Sequence, residues 1–462
     1  MNKVWSVGIL IFCILVSSLS GCGGGGKGKG NHDGGGASPG LPSDDPIIPE
    51  GKAFYIRLGA TGANDGSDWN NAWTELPDVL ERGATYYIAS GTYPSYYFDD
   101  PEDGDTYIAI KKAVVGDRGT NVGWQNDYAA GIVYFTDTKG PIFEFRTGHY
   151  MIDGQTGEKD SGHGIKLHNT ANVQPHLGGT CMLIQHQHEV RYLTLRHIEM
   201  EDAGWAGSVI PAVTRTVQAS GATAHISFQY CYIHDSGQEW VLFANPETDF
   251  LIEHCYFKNG GSGSPDHHSV GIWFRGEKEN QNIHMRYNTF ENFAAVGGTG
   301  YISLGYRGTS TPTYSSGYYF YGNIFKETSR SCGPSRIIGS NGSNGGPVIS
   351  DIKIYNNTFY NMNGPYSERI TLANPGNNNL VANNIWYGCY RNPTFSNIEE
   401  TNNIKNDLTD DPFINAANGD FRLSGQLTGG KILTTPFNKD MNGTVRGTDK
   451  VWDIGAYEYN GL

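Results

Sequence analysis

Cysteine is scarce, seven in 462 residues, and no two cysteines form a C-x-x-C pair. A thiolate zinc site is therefore not expected. Five cysteines lie beyond the N-terminal segment: Cys181, Cys231, Cys255, Cys332 and Cys389. An odd number excludes a complete disulfide framework. Charge is also thin, with 17% charged residues and a net charge of −14. No basic patch or nucleic-acid motif stands out, so nucleic acid is not an expected partner. After Leu19 no apolar run is long enough to span a membrane as a helix. What abounds is Gly, 63 residues, and Tyr, 28, the composition of a turn-rich β protein.

One phrase recurs: alternating apolar residues, then Asn or Cys, one residue, then Phe, Ile or Trp. Its copies are HISFQYCYIHD (225–235), FLIEHCYFKN (250–259), NIHMRYNTFEN (282–292), GYYFYGNIFKE (317–327), DIKIYNNTFYN (351–361) and NNLVANNIWYG (378–388). The repeated position falls at Cys231, Cys255, Asn288, Asn323, Asn357 and Asn384, with His197 in a degenerate first copy and Asn403 in a frayed last one. Steps of roughly 20–35 residues are those of solenoids.

Alternation means a strand with one buried face. A single coil cannot bury that face alone, but stacked coils share a core and pair their backbones. Strands about 4.8 Å apart turn any repeated position into a ladder. Asn suits a ladder at a bend, because it tolerates left-handed backbone and its amide can bond to the Asn above. The following Phe or Ile turns back inward. Asn, Gly, Thr and Tyr inside the repeats argue against helical repeats. A solenoid grows in one dimension, so 462 residues need not mean several domains.

The chain opens MNKVWSVGILIFCILVSSLSGC, with Lys3 before a short apolar run that ends in small residues. This reads as a secretory signal over residues 1–21. Leu19-Ser20-Gly21-Cys22 resembles the bacterial lipobox, which implies cleavage before Cys22 and lipidation there. Residues 22–52 are a Gly-rich tether that becomes Pro-rich. Gly23 and Gly24 stand where Asp would favour inner-membrane retention, so the expected location is the outer membrane or cell surface.

The body, 53–459, has distinctive ends. Its start, FYIRLGATGANDGSDWNNAWTELPDVLERGATYYIASGTY (54–93), reads strand, loop, short helix near Trp73–Glu81, strand and turn. Its end carries DDPFINAANGDFRLSG (410–425) and then DMNGTVRG and VWDIGAYEY (440–459). With the repeats, these pieces resemble secreted right-handed parallel β-helix proteins of the pectate-lyase-like superfamily. The resemblance implies an all-β right-handed parallel β-helix with an N-terminal cap helix. Bare terminal coils would polymerise through their edges. Asp410, Gly419, Asp420, Arg422, Arg446, Asp453 and Glu458 are therefore read as cap residues, with Arg446 and Asp453 as an ion pair. The early coils fall in 99–190, where Met151-Ile152-Asp153-Gly154 reads as a strand ending in a turn.

Residues 252–307 resemble the central coils of pectate lyases, with Glu253-His254-Cys255 in place of an Asp-His pair. That resemblance implies polysaccharide as partner, lyase chemistry ahead of hydrolysis, and calcium held by Glu253 and Asp266. The Lys that follows this coil in the family has no counterpart here. A lyase needs a base, a cation to quench the uronate carboxylate and a donor for the leaving oxygen. Arg275 or Arg307 can bind the carboxylate. His267, His268 or Tyr306 can move protons, since imidazole titrates nearest neutrality. His234, Asp235 and Glu239, one coil earlier, can line the same groove for substrate binding, and Trp205, Trp240 and Trp273 can stack on sugars. A hydrolase would need two facing carboxylates, for which Asp235, Glu239, Glu253, Asp266 and Glu277 are candidates. Each of these residues also has a plain structural role in turns or strands. The protein is expected to be a monomer, and the alternative function is a non-catalytic glycan-binding, adhesive or structural surface protein.

Overall fold

The structure is a computed structural model. It describes residues 51–138, 140–157, 161–169, 180–202, 215–261, 269–276, 281–293, 300–305, 314–328, 336–340, 346–364 and 369–461.

Each repeat becomes one coil of three strands. Phe250–Glu253 turns into Tyr256–Gly260 and then Ile272–Phe274; the next coil is Ile283–Arg286, Thr289–Phe293 and Gly300–Leu304. Equivalent strands pair in parallel, Phe250 with Ile283, Phe257 with Phe290 and Ile272 with Ile302. Three ladders result, called here the first, second and third sheets in coil order. The second has 11 strands. The first and third join into 21 strands because Arg215–Gln229 runs from one to the other, pairing with Val241 and then with Phe250. The chain is thus a parallel β-helix. Among the described residues the helical segments are two 3₁₀ turns, Asn126–Ala129 and Ala416–Asn418.

The recurring Asn forms the expected ladder. The backbone N–H and the amide Nδ2 of Asn288 both donate to Asn323 Oδ1, at 3.0 Å each. Asn323 does the same to Asn357 at 2.9 Å, Asn357 to Asn384, and the Asn384 N–H reaches Asn403. Each amide also donates to a strand carbonyl of the preceding coil, as Asn323 Nδ2 does to Met285 at 2.9 Å. A fully buried amide is tolerable only when paired in this way. Cys255 continues the column, its Sγ accepting from Cys231 N at 3.4 Å; both thiols are buried and unbridged. The aromatic two positions on turns inward. Phe257, Phe290, Phe325, Phe359 and Trp386 stack at 4.5–5.1 Å through the core.

Two expectations need correction. Left-handed backbone is carried by the residue before the ladder position, such as His254 (φ 52°), Tyr287 (59°), Asn356 (54°) and Asn383 (59°). His197 belongs to that corner column, with φ 51° and its ring stacked on Tyr230 at 5.0 Å. The ladder position in its coil is Ile198, whose strand neighbour Glu199 pairs with Tyr232 just beyond Cys231.

The N-terminal helix expected near Trp73–Glu81 is not formed. Pro77 interrupts so short a stretch. Leu76 and Leu80 are nonetheless buried on the first coils, and Leu80 N–H donates to Asp100 Oδ1 at 2.6 Å.

The C-terminal segment lies along the flank of the stack. Phe437 packs on Tyr287, Tyr319, Tyr321 and Tyr355. The corner amides grip its backbone: Asn356 Nδ2 to Phe437 O at 3.2 Å, Asn383 Nδ2 to Lys431 O at 2.8 Å and Asn402 Nδ2 to Gly429 O at 2.6 Å. Gly455 is required, since its φ of 104° strains any residue with a Cβ, which would also meet Ile385 Cδ1 at 2.4 Å. The expected pairing of Arg446 with Asp453 is replaced. Buried Arg446 faces Glu458 at 3.4 Å and reaches Asp453 only through that residue's carbonyl, at 3.1 Å. The Asp453 carboxylate instead accepts from the N–H groups of Leu427 and Tyr459.

Candidate functional site

The corner between the second and third sheets varies most in length. Only Gly237 and Gln238 separate Tyr232–Ser236 from Glu239–Pro246. The coil before uses 203–214 at this corner, and the coil after uses 261–271. Asp235 makes the tight turn possible in left-handed backbone, φ 53°. Polar clusters stand on both sides of this short turn.

On the third-sheet side, Glu239 is 1% exposed and is the register partner of Arg215. Arg215 Nε donates to Oε2 at 2.7 Å. Oε1 is buried and has no hydrogen-bond partner among the described residues. Burial pushes the carboxyl up to about 7, while Arg215 and then Arg275 pull the other way. The Arg275 guanidinium lies 4.7 Å over the half-buried ring of Trp273, whose Nε1 donates to Gly305 O at 3.1 Å. Arg215 also reaches Gln218 Oε1 at 3.4 Å. Further along the sheet, Arg336 donates to Ser340 O at 3.2 Å and folds over Gly339, where a Cβ would meet its Cδ at 2.5 Å. A carboxyl that titrates near neutrality beside guanidinium groups combines a base with carboxylate binders.

On the second-sheet side, Lys166 Nζ stands 2.6 Å from Glu199 and 2.5 Å from Glu201. His234 bridges Asp235, at 2.7 Å from Nδ1, and Glu199, at 3.1 Å from Nε2. Burial opposes charge on both partners. Hydrogen bonds from His234 and Lys166 nonetheless hold Glu199 down to about 2, and those to Asp235 and Glu199 raise His234. Asn259 Nδ2 donates to Asp235 at 2.9 Å. Ligand atoms of Glu199, Glu201 and His234 lie within 4.8 Å of one another, with the Lys166 ammonium already between the two glutamates.

Of the residues predicted from sequence, Arg275 lies near enough to Glu239 on the third sheet for its charge to act on that carboxyl, and His234 and Asp235 join the second-sheet cluster. Glu253 lies on the first sheet. Arg286 Nε and Nη2 each approach its Oε2 at 2.7 Å, and Gln229 donates to Oε1 at 2.9 Å. A carboxylate held by a guanidinium does not fit a calcium ligand. Trp240 is fully buried among Phe257, Phe290, Phe293 and Tyr301, and is core rather than a sugar platform. Cys22, Trp205, Asp266, His267, His268, Glu277, Tyr306 and Arg307 lie outside the described residues.

Sequence reasoning missed Arg215, Lys166, Glu199 and Glu201. The last two follow from the slip at His197. Aligning His197 with Cys231 puts Glu199 at the inward position of Ile233. Aligning Ile198 with Cys231 puts Glu199 and Glu201 beside Tyr232 and His234. A one-residue shift exchanges the two faces of a strand.

The strand pairing defines the chain as a parallel β-helix protein. Among solved structures it is similar to the crystal structure of pectate lyase Pel9A, with TM-score 0.47 and 11% identity over 89% of this chain and 98% of that one. No protein-family model and no curated protein sequence matches it.

Proposed function

We propose that this protein is a secreted, lipid-anchored enzyme that cleaves an acidic polysaccharide by β-elimination at the corner between the second and third sheets. The observation that carries this reading is Glu239, a buried carboxyl near neutral pKa with one oxygen unpartnered among the described residues, bonded to Arg215 and within the field of Arg275. Glu239 in its ionised form removes the proton next to the uronate carboxylate. Arg275 quenches the charge that develops on that carboxylate, an effect strongest away from water. Electrons from the broken C–H bond form the double bond as the C–O bond to the leaving sugar breaks. The leaving oxygen takes a proton from His267 or His268, in the 261–271 connection of the next coil. Trp273 supplies an apolar face for a sugar ring.

Incubation with polygalacturonate, alginate and glycosaminoglycans, with and without calcium, tests this reading. Unsaturated uronate absorbance supports it. New reducing ends without that absorbance mean a hydrolase.

The burial of Glu239, 1% exposed, favours a second reading, in which the Arg215 pair is structural and the surface binds glycans without cleaving them. Saturable binding of an uncleaved polysaccharide would support that reading.

A further inference from the structure

A cavity of about 390 Å³ lies where the closing segment meets the corner between the first and second sheets. One wall is His254, Tyr256, Tyr287 and Lys326; the other is Asn442 and Tyr457 of the closing segment. Its size falls within the ~300–1,000 Å³ of small-molecule sites.

The wall chemistry is aromatic and amide, and its one lysine is tied to a carboxylate behind the wall. Lys326 Nζ is bound to Glu291 at 2.8 Å, and the Tyr256 hydroxyl donates to the same carboxylate. His163, which also lines the cavity, is held below its ordinary pKa by burial. The exposed Asn442 uses its backbone N–H on Asp440 at 2.9 Å, and its side-chain amide has no partner among the described residues. Apolar ring surface beside an uncommitted amide, with the lysine already engaged by Glu291, matches a sugar ring, whose C–H face is apolar and whose edge is hydroxylated.

We propose that this cavity binds a neutral pyranose unit. The binding claim stands on the cavity alone. Its link to a polymer rests on the function proposed above. Tyr256 stacks on Tyr232 at 5.3 Å and Tyr232 on His234 at 4.1 Å, so one run of rings joins the cavity to the second-sheet cluster. A chain bound in both places crosses the second sheet, with a uronate at Glu239 and a neutral sugar in the cavity. The substrate would then be a mixed polysaccharide rather than a uronate homopolymer.

Saturation-transfer NMR on the full protein, with methyl glycosides of galactose, glucose, mannose and xylose and with methyl galacturonide, tests the cavity. At least one neutral glycoside should receive saturation. Its affinity should fall by an order of magnitude or more in Asn442→Ala, which removes the amide, and in Tyr457→Ala, which removes ring surface. Transfer to none of the four, transfer undiminished in both variants, or equal binding of the galacturonide would overturn the proposal. Loss of lyase activity in Glu239→Gln with glycoside binding intact keeps the two sites separate.

Discussion

Glu239 has two consequences that can be measured apart from each other. Its carboxyl is raised from 4.5 to about 7 by burial. A raised group binds its proton more tightly in the folded state, so its contribution is full below pH 4.5 and is lost as pH rises through about 7. The loss is at most about 3–4 kcal/mol, since one pKa unit is worth about 1.4 kcal/mol. Denaturant unfolding of Glu239→Gln between these pH values should show a flatter stability profile than the wild type. Glu327, pushed up to about 8 by burial, acts with the same sign and should keep a residual slope in that variant. In catalysis the ionised form is needed, so kcat/KM should rise as pH passes through about 7. Arg215→Met removes the chief opposing charge and should move that limb to higher pH, which a merely structural pair would not do.

At the level of the element, the Asn column tests the coil. Asn323→Leu strips partners from the buried N–H and Nδ2 of Asn288 and should cost on the order of 3 kcal/mol by chemical denaturation. Asn323→Cys should cost less, because Cys255 already shows a sulfur accepting the neighbouring N–H. The column was legible in the sequence because each Asn recurs with an inward aromatic two residues on. The site was less so. Glu239 and Arg275 could be named as candidates because they sit in the coils the repeats define. Their partner Arg215 follows the 203–214 connection, outside every copy of the repeat, and only strand register brings it to Glu239. The helix near Trp73 failed for a local reason, Pro77. The Arg446–Asp453 pair failed because burial of the guanidinium selects backbone carbonyls together with one carboxylate, that of Glu458.

At the scale of the whole molecule, the closing segment covers apolar flank rather than standing apart from it. Truncation after Ser424 would uncover Phe437's tyrosine bed on the first sheet and leave the amides of Asn356, Asn383 and Asn402 without their backbone partners. The truncated protein should bind a hydrophobic dye and aggregate at lower temperature than the full chain. Cys22→Ser should abolish fatty-acid incorporation and release the protein from the membrane fraction. The central claim, acidic-polysaccharide cleavage at the Glu239 corner, is tested most directly by assaying wild type and Glu239→Gln side by side on polygalacturonate, alginate and glycosaminoglycans. The account predicts unsaturated uronate products from at least one polymer with the wild type and none with the variant. Equal product from both proteins, or none from the wild type on any polymer, would contradict it.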